Sequence, residues 1–322
     1  MSESNTIRLL VRELVLALGM ISLIVLAMWA HTGSMPPLVV VESNSMQHDS
    51  DGEIGTIDAG DLVLVHAPEK RSIITFAEAT DPMNTNYGHT KLGMPGDVIV
   101  YKRNGEDSST PIIHRAILKV EIERSESQIN GNCESGVSYQ NQCVLSWSVP
   151  GTNLVDVESI TVKFDGIDAP GDYDCGIQVM GHQEVKFRIE GWVPTQPGYI
   201  TLGDNNRCSD DQGVAQESSG ISSNSGGLVK PVSDEWVIGV SGSEIPWLGA
   251  VKLMVSGGES PGITHVPGHS ILKLVASILL VLAIPMVWEP LVKRILSNSP
   301  EMEQAEYEEA VYLKDSMNSE EE

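Results

Sequence analysis

Gly96-Asp97-Val98-Ile99-Val100-Tyr101-Lys102 reads as a tight turn that feeds a strand. Glycine and aspartate suit the turn, and the β-branched run that follows suits a pleated, buried surface. The same unit occurs earlier as Gly60-Asp61-Leu62-Val63-Leu64-Val65. Two such units predict a compact β domain. Working outward, strand-like runs lie at 38–41, 112–118, 143–149, 160–164, 177–180, 185–189, 199–202, 237–240 and 248–255. Turn-rich stretches separate them. Residues 66–95 are mixed, residues 212–228 read as a Ser/Gly-rich loop and 256–268 as a linker. The fold class is therefore mainly β, with a β-rich excursion inserted at about 121–190.

Apolar segments flank this domain. Residues 14–30 carry no charge, and the uncharged stretch runs on to Val41, so a transmembrane helix is predicted over 14–34. A cleaved signal peptide is the competing reading, but the apolar run exceeds a usual signal core and no small-x-small site follows it. A second transmembrane helix is predicted over 268–288, against the alternative of a buried or interfacial helix. Arg8 and Arg12 before the first span, and Lys293 and Arg294 after the second, place both termini inside. Residues 1–13 and 289–322 are then cytoplasmic, and the 38–265 domain is extracytoplasmic.

The chain has 322 residues and a formal net charge of −24. Residues 42–265 hold 32 acids against 14 Lys and Arg, and residues 301–322 hold nine acids against one lysine. This argues against a nucleic-acid partner, because phosphate binding needs a basic surface. A domain this acidic repels itself unless cations screen it, which points to a halophile and to activity that rises with salt, against the alternative of an ordinary acidic protein. The short terminal acidic run reads as solvated tail.

Cys133, Cys143, Cys175 and Cys208 all lie between the apolar segments, where disulfides are permitted. None shows paired C-x-x-C spacing, so no metal site is expected; no other cofactor is expected either. Pairing Cys133 with Cys143 and Cys175 with Cys208 is one of three ways to join four cysteines, and free thiols remain the alternative.

Three stretches carry candidate chemistry: Glu42-Ser43-Asn44-Ser45-Met46, Pro111-Ile112-Ile113-His114-Arg115 and Gly203-Asp204-Asn205-Asn206 with Asp210 beyond. A serine hydroxyl needs a base to become a nucleophile, and a histidine needs a carboxylate to fix its tautomer. Ser45, His114 and either Asp210 or Asp204 fit those roles in that order. Taken alone, such a trio is common in a chain of this length, and His114 and Asp204 read equally well as a core histidine and a turn carboxylate. Lys102 ends its strand as a solvated charge.

Together these motifs resemble the archaeal and eukaryotic-type signal peptidase I. The resemblance rests on Ser43-x-Ser45-Met46, Gly96-Asp97-Val98-Ile99-Val100-Tyr101, Ile112-Ile113-His114-Arg115 and Gly203-Asp204-Asn205-Asn206 with Asp210, in order over about 38–211. Ile245-Pro246-Trp247-Leu248-Gly249 resembles the family's late strand. The related bacterial branch uses lysine where His114 stands. The resemblance implies a signal-peptidase-like β domain and a membrane endopeptidase with Ser45 as nucleophile, His114 as base and Asp210 as triad carboxylate. It makes Asp204 a second important carboxylate, with Asp211 not excluded as the group that orients His114. Ser43 would donate to the oxyanion beside the Ser45 backbone N–H. Its partners would be preprotein signal peptides, membrane lipid and the protein-translocation channel. The chain departs from the family in its long excursion, which a Cys175–Cys208 bond would tether, and in its C-terminal segment. A non-catalytic membrane-anchored β protein of the cell surface or secretion machinery is the competing class. A self-cleaving regulator of the serine-lysine fold is disfavoured by His114 and by the anchors.

Overall fold

The structure, a computed structural model, describes residues 3–48, 50–127, 137–140, 142–155, 162–163, 188–189, 192–206, 209–215, 218–256 and 261–297. It divides into two units, residues 1–270 and 271–322. The chain is mainly β sheet, with an apolar helix at each end.

Helix α1 runs Glu3–Thr32 and holds an apolar span, Ile7–Thr32, long enough to cross a membrane. Gly33, at φ 73°, ends it in the left-handed conformation that glycine adopts readily. Strands β1 (Leu38–Val40) and β2 (Leu62–His66) follow, then helix α2 (Phe76–Thr80). Thr75 and Glu78 close a capping box on α2, which fixes where it starts. A short β3 (Thr90–Lys91) and β4 (Met94–Pro95) pair with each other, ahead of β5 (Val98–Tyr101). The long β6 (Ile112–Ser127) precedes β7 (Val137–Tyr139), β8 (Gln142–Ser148), β9 (Val162–Lys163), β10 (Arg188–Ile189) and β11 (Gly198–Leu202). The domain closes with β12 (Val237–Ile245) and helix α3 (Gly249–Val255). Helix α4 (Gly268–Ser297) contains the second apolar span, Gly268–Val292.

Among the described residues, one sheet of eight strands dominates, in the order β1-β2-β12-β5-β6-β8-β7, with β11 also on β6. Every pairing along β1-β2-β12-β5-β6 is antiparallel, so β1 and β6 run in the same direction. Strand β6 is shared along its length. Its start pairs with β5, its middle with β11 and its end with β8. All four residues of β5 are buried, as expected for a central strand with both faces covered.

Both Gly-Asp units are strands, β2 and β5, and 237–240 opens β12. The run 248–255 is a helix, not the expected strand. Its buried Ala250 and Leu253 are three residues apart, a helical spacing that the short apolar run hides. Of the expected excursion strands, 177–180 lies outside the described residues, and 160–164 and 185–189 are described only at β9 and β10.

Candidate active site

The segment after β1 is fixed from both sides. Val41 N–H donates to the Asp61 carbonyl at 3.0 Å, and Gly60 N–H donates to the Val41 carbonyl at 2.9 Å. Met46 is buried among Val41, Ile57, Val63, Leu92 and Val98. Ser45 therefore sits one residue from an apolar anchor, in a loop that cannot slide. The Gly203–Asn206 turn clamps the same loop. Asn205 N–H donates to the Ser45 carbonyl at 2.8 Å, and Asn205 Nδ2 donates to the Asn44 carbonyl at 2.9 Å. Asn205 thus does more than form a turn. Gly203 leaves room for this approach: a Cβ there would lie 2.6 Å from the Ser45 carbonyl and 2.8 Å from His114 Nε2.

His114 lies on β6 opposite Ile99 of β5 and is buried. Its Nε2 is 2.8 Å from Ser45 Oγ, and its Nδ1 is 2.7 Å from Asp211 Oδ2 and 2.8 Å from Oδ1. The carboxylate only accepts, so Nδ1 carries the hydrogen and Nε2 is free to accept from the serine hydroxyl. Ser43 Oγ is 3.0 Å from Ser45 Oγ. Asp211 Oδ2 also accepts from Tyr101 Oη and Thr201 Oγ1, each at 2.6 Å. Its backbone N–H donates to the Thr201 carbonyl at 2.9 Å. Burial, reinforced by the adjacent Asp211 carboxylate, pushes the Tyr101 hydroxyl well above its ordinary pKa and keeps it a donor.

The expected carboxylate partner is thereby corrected: Asp211, not Asp210, meets His114. The Asp210 side chain faces the turn that follows it. It accepts from the backbone N–H groups of Gln212, Val214 and Ala215, the shortest at 2.8 Å. Burial pushes its carboxyl up, and these N–H groups partly offset that.

Asp204 does not reach His114 either. Alternation along β6 turns Arg115 to the face opposite His114, and the buried Arg115 grips Asp204 with two bonds, Nε–Oδ1 at 2.8 Å and Nη2–Oδ2 at 2.6 Å. His48 Nε2 adds a third contact at 2.8 Å. Burial alone would raise the Asp204 carboxyl; the Arg115 guanidinium and His48 outweigh it and hold it below the ordinary range. Arg115 Nη1 also donates to carbonyls of the β3–β4 hairpin and to that of Gly96 just after it, the last at 2.7 Å. Arg115, His48, Tyr101 and Thr201 have site roles that motif reading missed. The Asp210-Asp211 doublet was the visible hint for Asp211.

Lys102 pairs with Asp107. Cys143 is disulfide-bonded, which sets aside free thiols there. Cys133, Cys175 and Cys208 lie outside the described residues, as does the expected pairing. Among the described residues, no group of three or more His, Cys, Asp or Glu is arranged to hold a metal ion.

A groove of about 670 Å³ leads to Ser45 and His114. One wall is β1, the last strand of the sheet order, whose outer edge has no strand beside it among the described residues. The other wall is the start of β6, which pairs with β5 there and meets β11 only from Arg115 onward. The lining is mostly apolar, with Leu38, Val40, Val100, Ile112 and Ile113, and the Glu42–Lys252 pair (3.1 Å) at its rim. Two free edges face one apolar slot, an arrangement that accepts an extended peptide.

Compared with family models, curated proteins and solved structures, the chain matches none.

Proposed function

We propose that the chain is an integral membrane serine endopeptidase of the archaeal and eukaryotic signal peptidase I type, removing N-terminal signal peptides from secreted preproteins. The observation that carries this reading is the Ser45–His114–Asp211 relay at the end of an apolar groove with two open strand edges. The ordered motifs over 38–211 and the two apolar helices support it.

The preprotein enters as an extended strand between β1 and the start of β6, with the small side chains at positions −3 and −1 seated on the apolar lining. Ser45 Oγ attacks the scissile carbonyl carbon as its proton passes to His114 Nε2. Asp211 stabilises the imidazolium and does not itself become protonated. The Ser45 N–H and the Ser43 hydroxyl receive the developing oxyanion, and removing one such donor typically costs about 10²–10³ in kcat. The tetrahedral intermediate collapses, the C–N bond breaks, and His114 gives its proton to the departing amine of the mature protein. Water, deprotonated by His114, then hydrolyses the acyl-enzyme. Both termini are cytoplasmic, and the β domain works on the extracytoplasmic face beside membrane lipid and the translocation channel. Ser45 follows Ala30 by 15 residues, a reach of at most about 50 Å, so the chemistry stays near the bilayer.

The test is cleavage of a reporter preprotein by the reconstituted full chain at high salt. The reading expects one cut after a small residue, located by mass spectrometry of both fragments. Cuts scattered along the reporter, or none, would sink it.

A further inference from the structure

The groove holds one cation that no carboxylate neutralises. At the rim near Ser45, Glu42 and Lys252 pair with each other at 3.1 Å. Apart from these two and His114, the charged side chain in the lining is Arg103, which is half-buried. Its Nη1 makes one long bond, 3.4 Å to the Ser222 carbonyl, and its Nε finds no acceptor. A guanidinium is a planar fork of donors, and here only Nη1 is used among the described residues. The carboxylates nearest to it in the chain are engaged elsewhere. Asp107 pairs with Lys102. Glu106 accepts from the N–H groups of Asn224 and Ser225, at 3.2 and 3.0 Å. The Ser225 hydroxyl does most to hold the Glu106 carboxyl below its ordinary range, and the Arg103 charge does least.

The backbone that carries Arg103 is fixed. It opens a 3-10 turn, Arg103–Gly105, just after β5. Asn104 takes φ 48° in that turn, and its Oδ1 accepts from Lys230 N–H at 2.8 Å. Gly105 lies against Trp236, where a Cβ would come within 2.7 Å of the indole nitrogen. Strand register then sets the distance to the cut. His114 stands opposite Ile99, and Ile112 stands opposite Tyr101. Arg103 lies beyond Tyr101, on the order of 13 Å along the sheet from Ile99 at strand rise. An extended peptide with residue −1 at Ser45 covers that distance in about four residues, which brings residue −5 to Arg103. Side chains alternate along a strand, so −5 shares the face of −1 and −3 that is turned to the lining.

We infer that Arg103 is a specificity residue of the groove: it binds an acidic side chain five residues before the cut and disfavours lysine or arginine there. This deepens the proposed function and rests on its reading of the groove as the site of the signal peptide. A carboxylate meets a guanidinium through paired N–H···O bonds, so aspartate or glutamate fits the idle fork and a neutral amide fits it less well. The side chains at −1 and −3 rest on apolar lining, which reads size. Arg103 adds a reading of charge farther from the scissile bond.

The experiment uses reporter preproteins that differ only at −5, with Glu, Gln or Lys. They are cut by full-length wild-type, Arg103→Gln and Arg103→Glu proteins, reconstituted in phosphatidylcholine vesicles at one high salt concentration. Salt screens distant charges, so a preference that persists reports direct contact. Substrates compete in pairs, and mass spectrometry of the products gives the ratio of their kcat/KM values. Each ratio is taken within one protein, so a variant that folds only in part still gives a valid result. Wild type is expected to favour Glu over Lys by about tenfold, with Gln between them. Arg103→Gln should flatten that order, and Arg103→Glu should reverse it. Equal rates on all the reporters with wild type, or the same preference for Glu in Arg103→Glu, overturn the inference and leave the peptidase reading intact. Failure of wild type to cut any reporter removes the peptidase reading and the inference with it.

Discussion

Asp211 Oδ2 lies 2.7 Å from His114 Nδ1, while the carboxylate of Asp210, its neighbour in the chain, holds the backbone N–H groups of Gln212, Val214 and Ala215. One aspartate orients the base and the other shapes the turn that presents it. Exchanging each in turn separates the two. Asp211→Asn should lower kcat/KM by about 10⁴ with folding retained, because the histidine is left in the wrong tautomer. Asp210→Ala should cost on the order of 1–2 kcal/mol of stability through its lost backbone acceptor. Cleavage kinetics and thermal unfolding of both variants check the assignment.

Tyr101 and Thr201 hold Oδ2 of Asp211, one of the two carboxylate oxygens within reach of His114 Nδ1. Tyr101→Phe keeps the ring and removes the donor. A hydrogen bond to a charged group is worth about 1.5–3 kcal/mol, so kcat should fall at least about tenfold. KM should stay near its wild-type value, because Tyr101 does not line the groove. Steady-state kinetics on a peptide substrate would show the split.

Gly203 marks where the loop carrying Ser45 and the strand carrying His114 come closest. Gly203→Ala would put a methyl group 2.6 Å from the Ser45 carbonyl and 2.8 Å from His114 Nε2, so one of them must move. Misplacing reacting groups by about 1 Å costs on the order of 10²-fold in rate. A comparable loss of kcat in a protein with a near-native melting temperature is the expected result.

Asp204 and Arg115 form a buried pair, and breaking it from one side strands a charge. Asp204→Ala should cost about 3–5 kcal/mol of stability, and Arg115→Lys should not behave as a conservative change, since lysine cannot supply the two-bond fork. The Asp204 carboxyl is held below its ordinary pKa of 3.8. Its contribution is therefore complete above that pH and is lost as pH falls through the lower folded value. Denaturant unfolding between neutral and acid pH tests this.

Glu244 works in the opposite direction. Burial, with the nearby Asp61 carboxylate, pushes it from 4.5 to about 7. The unfolded chain releases this proton near 4.5 and the folded chain near 7, so stability declines as pH rises across that window. Glu244→Gln keeps an oxygen for the Gly55 N–H and should flatten the decline. The effect is on the order of 1 kcal/mol, discounted because the group is only half buried. Melting temperatures across that pH window would reveal the change in slope.

The β character was legible because Gly-Asp turns and β-branched runs mark strands directly, as at β2 and β5. Helix α3 was not, because six of its seven residues are apolar and Lys252 alone makes no polar face, and periodicity cannot tell such a run from a buried strand. At the site, Ser45 and His114 stand beside readable strands, and the structure brings them within hydrogen-bond distance. The carboxylate was harder. Adjacent aspartates point different ways, and which one meets His114 depends on the turn after Gly203 and its bond to Thr201. No motif carries that information. The Arg115–Asp204 grip is likewise invisible in sequence, because 89 residues separate its partners.

The most direct measurement is cleavage of a reporter preprotein by membranes holding wild-type, Ser45→Ala, His114→Ala, Asp211→Ala and Asp210→Ala proteins at high salt, with each variant shown to be folded and inserted. The account predicts that the Ser45, His114 and Asp211 variants lose cleavage, while the Asp210 variant keeps activity in proportion to its folded fraction. Continued cleavage by Ser45→Ala, in membranes free of other peptidases, would contradict it.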